Sequence, residues 1–301
     1  MSKLNYTIVI PHKNSPQYLN RCLNSIPYRD DIEIIVIDDD SDNEKKPIIS
    51  RENVQLILLD RKHCKGAGRA RNVGVNRAKG KWLLFADCDD YYVNGFLEEL
   101  DKYVDTNYDV IYFNFNQFHE GKEEPVKEKI SKFIKECSEG KRDVDYVKYR
   151  NNVPWNKMIR RDFVEKNTIK FEEISVANDM FFSFQVGFFS HSYTVIDKKL
   201  YNYIVYQKSQ TNKDWNEEKI ETFLENLQKY NGFMEFVNHK DWTHGLIFLI
   251  YQLYRRKVLN VSIKLLHFYF LHKQRIDECK EKYPLILKSK FNNGIVNNSS
   301  R

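Results

Sequence analysis

The chain has 301 residues, 42% in the AVILMFWYC class and 30% charged, which suffices to bury a core and excludes wholesale disorder, collagen-like repeats and a polytopic membrane protein. Its net charge of +6 is too modest to argue for nucleic acid. The excess is local, because His239 to Lys290 hold 11 basic and 4 acidic residues and everything outside that window sums to −1.

Short apolar runs alternate with amphipathic stretches over the first 115 residues, the pattern of a parallel sheet covered by helices, so the expected class is α/β. Tyr6 to Ile10, Ile32 to Ile37, Val54 to Leu59, Trp82 to Ala86 and Val110 to Phe115 read as buried strands. Ser15 is expected to cap a helix whose first turn holds Pro16, with Tyr18, Leu19, Cys22, Leu23 and Ile26 on one face. A second helix is expected over Gly68 to Ala78, and a third from Gly95 with Phe96, Leu97, Leu100 and Val104 inward.

His119 to Arg150 are dense in Lys and Glu and read as an exposed excursion with one or two surface helices. Beyond it come Val153 to Arg161, an apolar segment from Phe181 to Phe189, and strand-like Thr194 to Tyr206. Ile220, Phe223, Leu224, Leu227, Met234 and Val237 mark a helix, followed by helical patterns over Trp242 to Tyr254 and Val258 to Leu271, and a polar tail from Asn292 expected to be disordered. Cys22, Cys64, Cys88, Cys137 and Cys279 contain no C-x-x-C pair and read as reduced thiols. With no signal-like N-terminus and no run of about 20 apolar residues, the expected location is cytoplasmic, the inner face of the cell membrane being the alternative.

The strand Trp82 to Ala86 ends in Asp87-Cys88-Asp89-Asp90, three carboxylates at the sheet edge where α/β proteins bind ligands. Such hard oxygen donors suit Mg²⁺ or Mn²⁺ with water and phosphate completing the shell; the alternative is an acidic turn before the next helix. Asp38-Asp39-Asp40-Ser41-Asp42 tips the strand Ile32 to Ile37 in the same way and reads either as acceptors for a nucleobase imide or ribose, or as a solvated turn. Lys65 to Gly74 form a basic, glycine-rich entry to a helix that suits a diphosphate, yet lack the Gly-Lys-Ser/Thr of a Walker loop. His191 is a candidate third metal ligand or a surface turn residue.

Taken in order, Thr7-Ile8-Val9-Ile10-Pro11 with Asn14, Asp38-Asp39 with Ser41, Ala70-Arg71-Asn72 with Gly74, and Asp87-Cys88-Asp89-Asp90 resemble glycosyltransferase family 2. Trp155-Asn156-Lys157 with Arg160-Arg161, Asn178-Asp179-Met180-Phe181-Phe182, and Tyr201-Asn202-Tyr203 with Ser209 are similar to the branch that builds capsular and cell-surface polysaccharides. The resemblance implies a GT-A-like, mostly parallel sheet flanked by helices with a C-terminal helical extension. It implies a metal-dependent inverting transfer of a sugar from a nucleotide diphosphate-sugar, a UDP-sugar favoured, to a hydroxyl of a growing bacterial surface glycan or lipid-linked glycan. The implied organisation is a catalytic domain over residues 1–211, with a nucleotide-binding half (1–118), the excursion (119–150) and an acceptor and base half (151–211), then helices over 212–291 and a tail over 292–301.

The implied roles are Asp179 as catalytic base, Asp39 at the nucleobase, Arg71 at the diphosphate or base, Asp87 at the ribose and metal, and Asp89 on Mn²⁺ or Mg²⁺. Pro11, Asn14 and Ser41 belong to the implied nucleotide-sugar site. Asn156 and Lys157 are placed near the donor sugar or acceptor, and Trp155 either stacks on a sugar or packs in the core. The chain departs from the pattern at Lys13, where an aromatic is usual, at Asp40, where glycine is usual, and at Asn178, where glutamate is usual. Alternative activities are a nucleotidyltransferase, or a catalytically silent nucleotide-sugar or glycan-binding module. The basic C-terminal helices are expected to pack on the catalytic domain or a second subunit, or to meet an anionic membrane peripherally.

Overall fold

A computed structural model describes residues 4–60, 66–122, 124–126, 128–206 and 217–244. The chain divides into two units, Met1–Ser209 and Gln210–Arg301. In the first, an eight-stranded sheet has the order β3-β2-β1-β4-β7-β6-β8-β5. Its strands are β1 (Tyr6–His12), β2 (Ile32–Asp39), β3 (Val54–Leu59), β4 (Trp82–Phe85), β5 (Tyr91–Tyr92), β6 (Val110–His119), β7 (Lys157–Arg160) and β8 (Tyr193–Val205). The helices of this unit are α1 (Pro16–Asn24), α2 (Gly66–Arg77), α3 (Phe96–Leu100), α4 (Lys129–Ser138), α5 (Asp145–Tyr149), α6 (Arg161–Lys166) and α7 (Met180–Phe189).

Strands β3, β2, β1 and β4 run parallel, so each sequential pair is joined by a crossover, through α1 from β1 to β2 and through α2 from β3 to β4, and the inner strands are covered on both faces. That is why β1 and β2 read as unbroken apolar runs: almost every residue in them is buried. The crevice beyond the carboxyl ends of β1, β2 and β4 collects the loops that carry Asn14, Asp39 and Asp87. β7 enters antiparallel between β4 and β6, and the two-residue β5 closes the far edge antiparallel to β8. The expected class, a mostly parallel sheet flanked by helices, is the one observed.

Three expectations change in detail. Ser15 makes no side-chain cap on α1; its N–H donates to His12 Nε2 and its hydroxyl to the Lys13 carbonyl. The stretch over 119–150 is more than a solvated excursion, since α4 and α5 bury Phe133, Ile134, Val147 and Tyr149. Glu128 caps α4 by accepting from the Ile130 and Ser131 N–H groups, so the Lys and Glu density there reflects the outer faces of two amphipathic helices. The apolar segment from Phe181 is helix α7, buried along most of its length, so its hydrophobicity has no single-sided period.

In the second unit the described residues form α8 (Glu217–Phe236) and a short turn at Lys240–Trp242, with Ile220, Leu224, Phe233 and Met234 buried. The expected helix past Thr243, the helix over Val258 to Leu271, the basic membrane-facing surface, the polar tail, Lys65, Ser209, Cys64 and Cys279 lie outside the described residues. Cys22, Cys88 and Cys137 are free thiols. Among the described residues no helix is long and apolar enough to cross a membrane.

Candidate functional site

The loops after β1 and β2 are knitted into one wall by side chains that never leave the protein. Buried His12 accepts the Ser15 N–H at Nε2, so its Nδ1 carries the proton and donates to Asp38 Oδ1 at 2.7 Å. Ser41 donates its hydroxyl to the same carboxylate at 2.5 Å and its N–H to Oδ2 at 3.1 Å. The Ser41 hydroxyl in turn accepts the Asn14 N–H, and the Asn14 side-chain carbonyl accepts the Asp42 N–H, both at 2.8 Å. Asn14 and Ser41 therefore shape the wall, with Pro11 buried in β1 beneath it. Asp40 stands where the related pattern has glycine, and its φ of 57° gives the reason: this turn needs a left-handed residue, and aspartate is among the few others that tolerate one.

Asp39 points its Oδ2 at the N-terminus of α2, accepting the Gly66 N–H at 3.1 Å, with Lys13 Nζ 3.6 Å away. Lys13 thus replaces an aromatic face with a half-exposed cation beside the carboxylate that the resemblance assigns to the nucleobase.

Helix α2 fastens the segment that delivers the expected base. Arg69 pairs with Glu173 at 3.1 Å, and Asn72 exchanges hydrogen bonds with the Phe171 backbone at 3.0 and 2.9 Å. Arg71, almost completely buried, forks across the site: Nη1 donates to Asn178 Oδ1 at 2.9 Å and Nη2 to Asp87 Oδ1 at 2.5 Å. Burial opposes its charge, yet Asp87 and Asp179 outweigh that cost and hold its pKa above the ordinary value. The backbones of helix and loop touch at Gly68, where a Cβ would lie 1.9 Å from the Glu172 carbonyl oxygen and 3.0 Å from Asn178 Cβ. Gly68→Ala should therefore displace the segment carrying Asp179. The expected cost is about 1–3 kcal/mol, read as a lower unfolding midpoint with a parallel fall in turnover.

Asp179 sits at the N-cap of α7 without capping it by its side chain, so its carboxylate is left for other work. Burial raises its pKa and Asp87 adds to the rise, while Arg71 and Lys157 oppose it. The N-terminus of α7 also favours the charged form.

The three carboxylates after β4 divide. Asp90 is turned into the protein, accepting the Ile204 N–H at 2.8 Å and the Tyr201 hydroxyl at 3.0 Å; it is a structural anchor and not part of a metal edge. Asp87 faces Arg71, and its own N–H donates to the Tyr201 hydroxyl at 3.0 Å. The Asp89 pKa is pushed up to about 6, by burial first and by Asp87 second. Two crowded, hard carboxylates with unbalanced charge fit Mg²⁺ or Mn²⁺. Among the described residues no three His, Cys, Asp or Glu form a complete metal site, so diphosphate oxygens and water would fill the remaining positions. His191 is an exposed turn residue whose N–H donates to Asp109.

Trp155, Asn156 and Lys157 do not line the crevice. Trp155 is 4% exposed and stacks on Tyr201 and Tyr203 at 4.8 and 5.4 Å, so its ring packs in the core. Asn156 exchanges amide hydrogen bonds with Asn151 at 3.1 and 3.2 Å. Fully buried Lys157 donates to the carbonyls of Asn151 and Val153, closing the loop before β7. Burial lowers its pKa to about 7, with Asp179 opposing. Lys157→Met keeps the stem but strands two buried acceptors, so a loss of about 1–3 kcal/mol for each is expected. Denaturant unfolding checks this; an unchanged midpoint with weaker donor binding would return Lys157 to the donor.

His12, Tyr201 and Asn72 are structural supports of the candidate site that reading for reactive groups misses. Asn72 and Tyr201 fall inside the quoted motifs, but their polar partners lie 99 and 111 residues away.

The model of the family described as Glycosyl transferase family 2 matches residues 7–168. The chain is 26% identical over 220 residues to the putative glycosyltransferase EpsH of Bacillus subtilis, covering 67% of this chain and 61% of EpsH. It is 25% identical over 212 residues to the poly(ribitol-phosphate) beta-N-acetylglucosaminyltransferase TarS of Staphylococcus aureus, covering 66% of this chain and 35% of TarS. A third relative, the Escherichia coli UDP-Glc:alpha-D-GlcNAc-diphosphoundecaprenol beta-1,3-glucosyltransferase WfgD, is 28% identical over 143 residues, 44% of this chain and 56% of its own. The chain thus spans between about a third and three fifths of the length of these curated relatives. The crystal structure of TarS residues 1–349 with UDP-GlcNAc shares the fold, with a TM-score of 0.64 at 21% identity over 86% of this chain and 76% of that one. With the family model covering more than half its length and the carboxylate-tipped crevice in place, the chain belongs to glycosyltransferase family 2.

Proposed function

We propose that this chain transfers a sugar from a UDP-sugar to a hydroxyl of a phosphate-bearing bacterial surface glycan, by a single metal-assisted displacement that inverts the anomeric carbon. The observation that carries this reading is the Arg71 fork, which ties the donor-side carboxylate Asp87 to the Asn178-Asp179 segment. A fixed guanidinium that bridges the two segments suits a reaction in which a leaving group and an acceptor proton are handled in one site.

Asp39 accepts hydrogen bonds from the nucleobase or ribose, and the wall built on His12, Asn14 and Ser41 fixes the neighbouring Asp38 while the Gly66 N–H orients the Asp39 carboxylate. Asp87 and Asp89 would hold Mg²⁺ or Mn²⁺, which supplies charge neutralisation to the departing diphosphate. Asp179 takes the acceptor hydroxyl proton as that oxygen bonds to the anomeric carbon. The bond from carbon to the diphosphate oxygen breaks with its electron pair leaving on the diphosphate. One base and no covalent nucleophile give one inversion.

The donor class is supported by the TarS complex with UDP-GlcNAc and by the UDP-Glc named for WfgD. The acceptor class is supported by the acceptors in the relatives' names, a poly(ribitol-phosphate) and a diphosphate-linked GlcNAc, which both carry phosphate. The test is incubation with UDP-glucose and UDP-N-acetylglucosamine in Mn²⁺, with lipid-linked GlcNAc diphosphate and poly(ribitol phosphate) as acceptors. Release of UDP with a product of inverted anomeric configuration is expected. Retention of configuration, or no UDP release from either donor, overturns the reading.

A further inference from the structure

On the α1 side of Asp89 lies a cavity of about 460 Å³ that shares no residue with the donor machinery. Its aromatic lining comes from Tyr18, Tyr91, Phe118 and Tyr206, and its charged lining includes Arg21 and Lys122. The volume is that of a small-molecule site. Tyr91 and Tyr18 flank the Arg21 guanidinium, whose carbon is 4.9 and 5.6 Å from the two ring centres.

Arg21 is anchored on one side only. Its Nη2 donates to the Asp89 carbonyl and, at 2.7 Å, to the Tyr206 hydroxyl, and that hydroxyl itself donates to the Asp89 carbonyl at 2.9 Å. Its remaining nitrogens make no hydrogen bond to the described residues, and Nε is among the buried atoms without a partner. The wall of the cavity therefore grips the backbone of the residue whose carboxylate faces the donor.

We infer that this cavity is a subsite for a phosphate-bearing sugar or alditol unit of the acceptor. The proposal rests on the glycosyltransferase reading above. An aromatic wall takes the C–H face of a hydroxyl-rich unit, and tyrosine adds a polar edge for its hydroxyls. A fixed guanidinium with uncommitted donors, joined by the Lys122 ammonium, suits phosphate oxygens. Glu120 is the opposing charge in the lining, and it lies exposed on the turn after β6. Contact between this wall and the Asp89 carbonyl explains why an acceptor subsite belongs here: filling it steadies the carboxylate that handles the donor.

The experiment is saturation-transfer NMR on the full chain with three probes, N-acetylglucosamine 1-phosphate, ribitol 5-phosphate and inorganic phosphate, each with and without UDP. The expected result is binding of at least one of the two organic phosphates that UDP does not displace. Tyr91→Ala should weaken it at least fivefold, and Tyr91→Phe should restore it. Lys122→Glu, on an exposed turn, should also weaken it fivefold and serves if Tyr91→Ala fails to fold. Absence of binding, displacement by UDP, inorganic phosphate competing equally well, or full binding by the variants each overturns the subsite. Failure of UDP itself to bind would sink the donor reading instead, while the organic phosphates still decide the cavity.

Discussion

Replacing Asp179 with asparagine should lower kcat by roughly 10²- to 10⁴-fold, the range expected for loss of a positioned general base. The side chain keeps its shape at the head of α7, so the fold and the donor KM should change little. The pH dependence follows from the environment of this carboxylate. Burial raises its pKa above the ordinary range, so the protonated, inactive form persists to higher pH than for an exposed aspartate. Activity should therefore fall on acidification along a limb displaced upward from the usual carboxylate range, and this limb should vanish in Asp179→Asn. Asn178→Glu offers a second handle. Asn178 leaves Arg71 hydrogen-bonded to one carboxylate, Asp87, with Asp179 acting on it through charge alone, and a glutamate would supply a second direct partner. That added negative charge beside Asp179 should move the acidic limb to still higher pH. Turnover of Asp179→Asn at the wild-type rate would place the base elsewhere.

Much of this was legible in the sequence because parallel strands buried on both faces are unbroken apolar runs, and the acidic residues that end them mark the crevice edge. Asp39, Asp87 and Asp89 could be found in that way. The separate fates of Asp89 and Asp90 could not. Adjacent carboxylates look alike in sequence, and the hydrogen bonds that turn Asp90 inward come from Tyr201 and Ile204, more than a hundred residues later. The same distance hides β5, whose two residues form a strand only because β8 offers an edge. Trp155, Asn156 and Lys157 show the reverse error. Their residue types suit sugar chemistry, but a tryptophan stacked on two tyrosines and a lysine spent on loop carbonyls act from beneath the site. Asp40 is the departure that physics explains most simply, since the backbone asks for a left-handed residue and aspartate can comply.

Asp89→Ala should reduce sugar transfer by about 10³-fold or more, as expected when electrostatic stabilisation of a leaving diphosphate is removed. The carboxylate is crowded by Asp87 and partly desolvated, so its charge is costly until a cation shares it. Asp87 alone is a poorer holder, because Arg71 already engages its Oδ1 and leaves Oδ2 for the cation. Removing divalent cations with excess EDTA should reproduce the loss, and Mn²⁺ should restore the wild type but not the variant. A readout independent of turnover is Mn²⁺ binding in the presence of UDP, followed by electron paramagnetic resonance, which should weaken at least tenfold in Asp89→Ala. The contrast is Asp90→Ala, which strands the Ile204 N–H and the Tyr201 hydroxyl and should cost about 1–3 kcal/mol for each buried group left unpaired. That variant should fail by unfolding earlier, while whatever remains folded still binds Mn²⁺. Equal Mn²⁺ affinity in wild type and Asp89→Ala, or full transfer in excess EDTA, would remove the cation from the mechanism and leave the neutralisation of the diphosphate to side chains such as Arg71, which is buried between Asp87 and the Asn178-Asp179 segment.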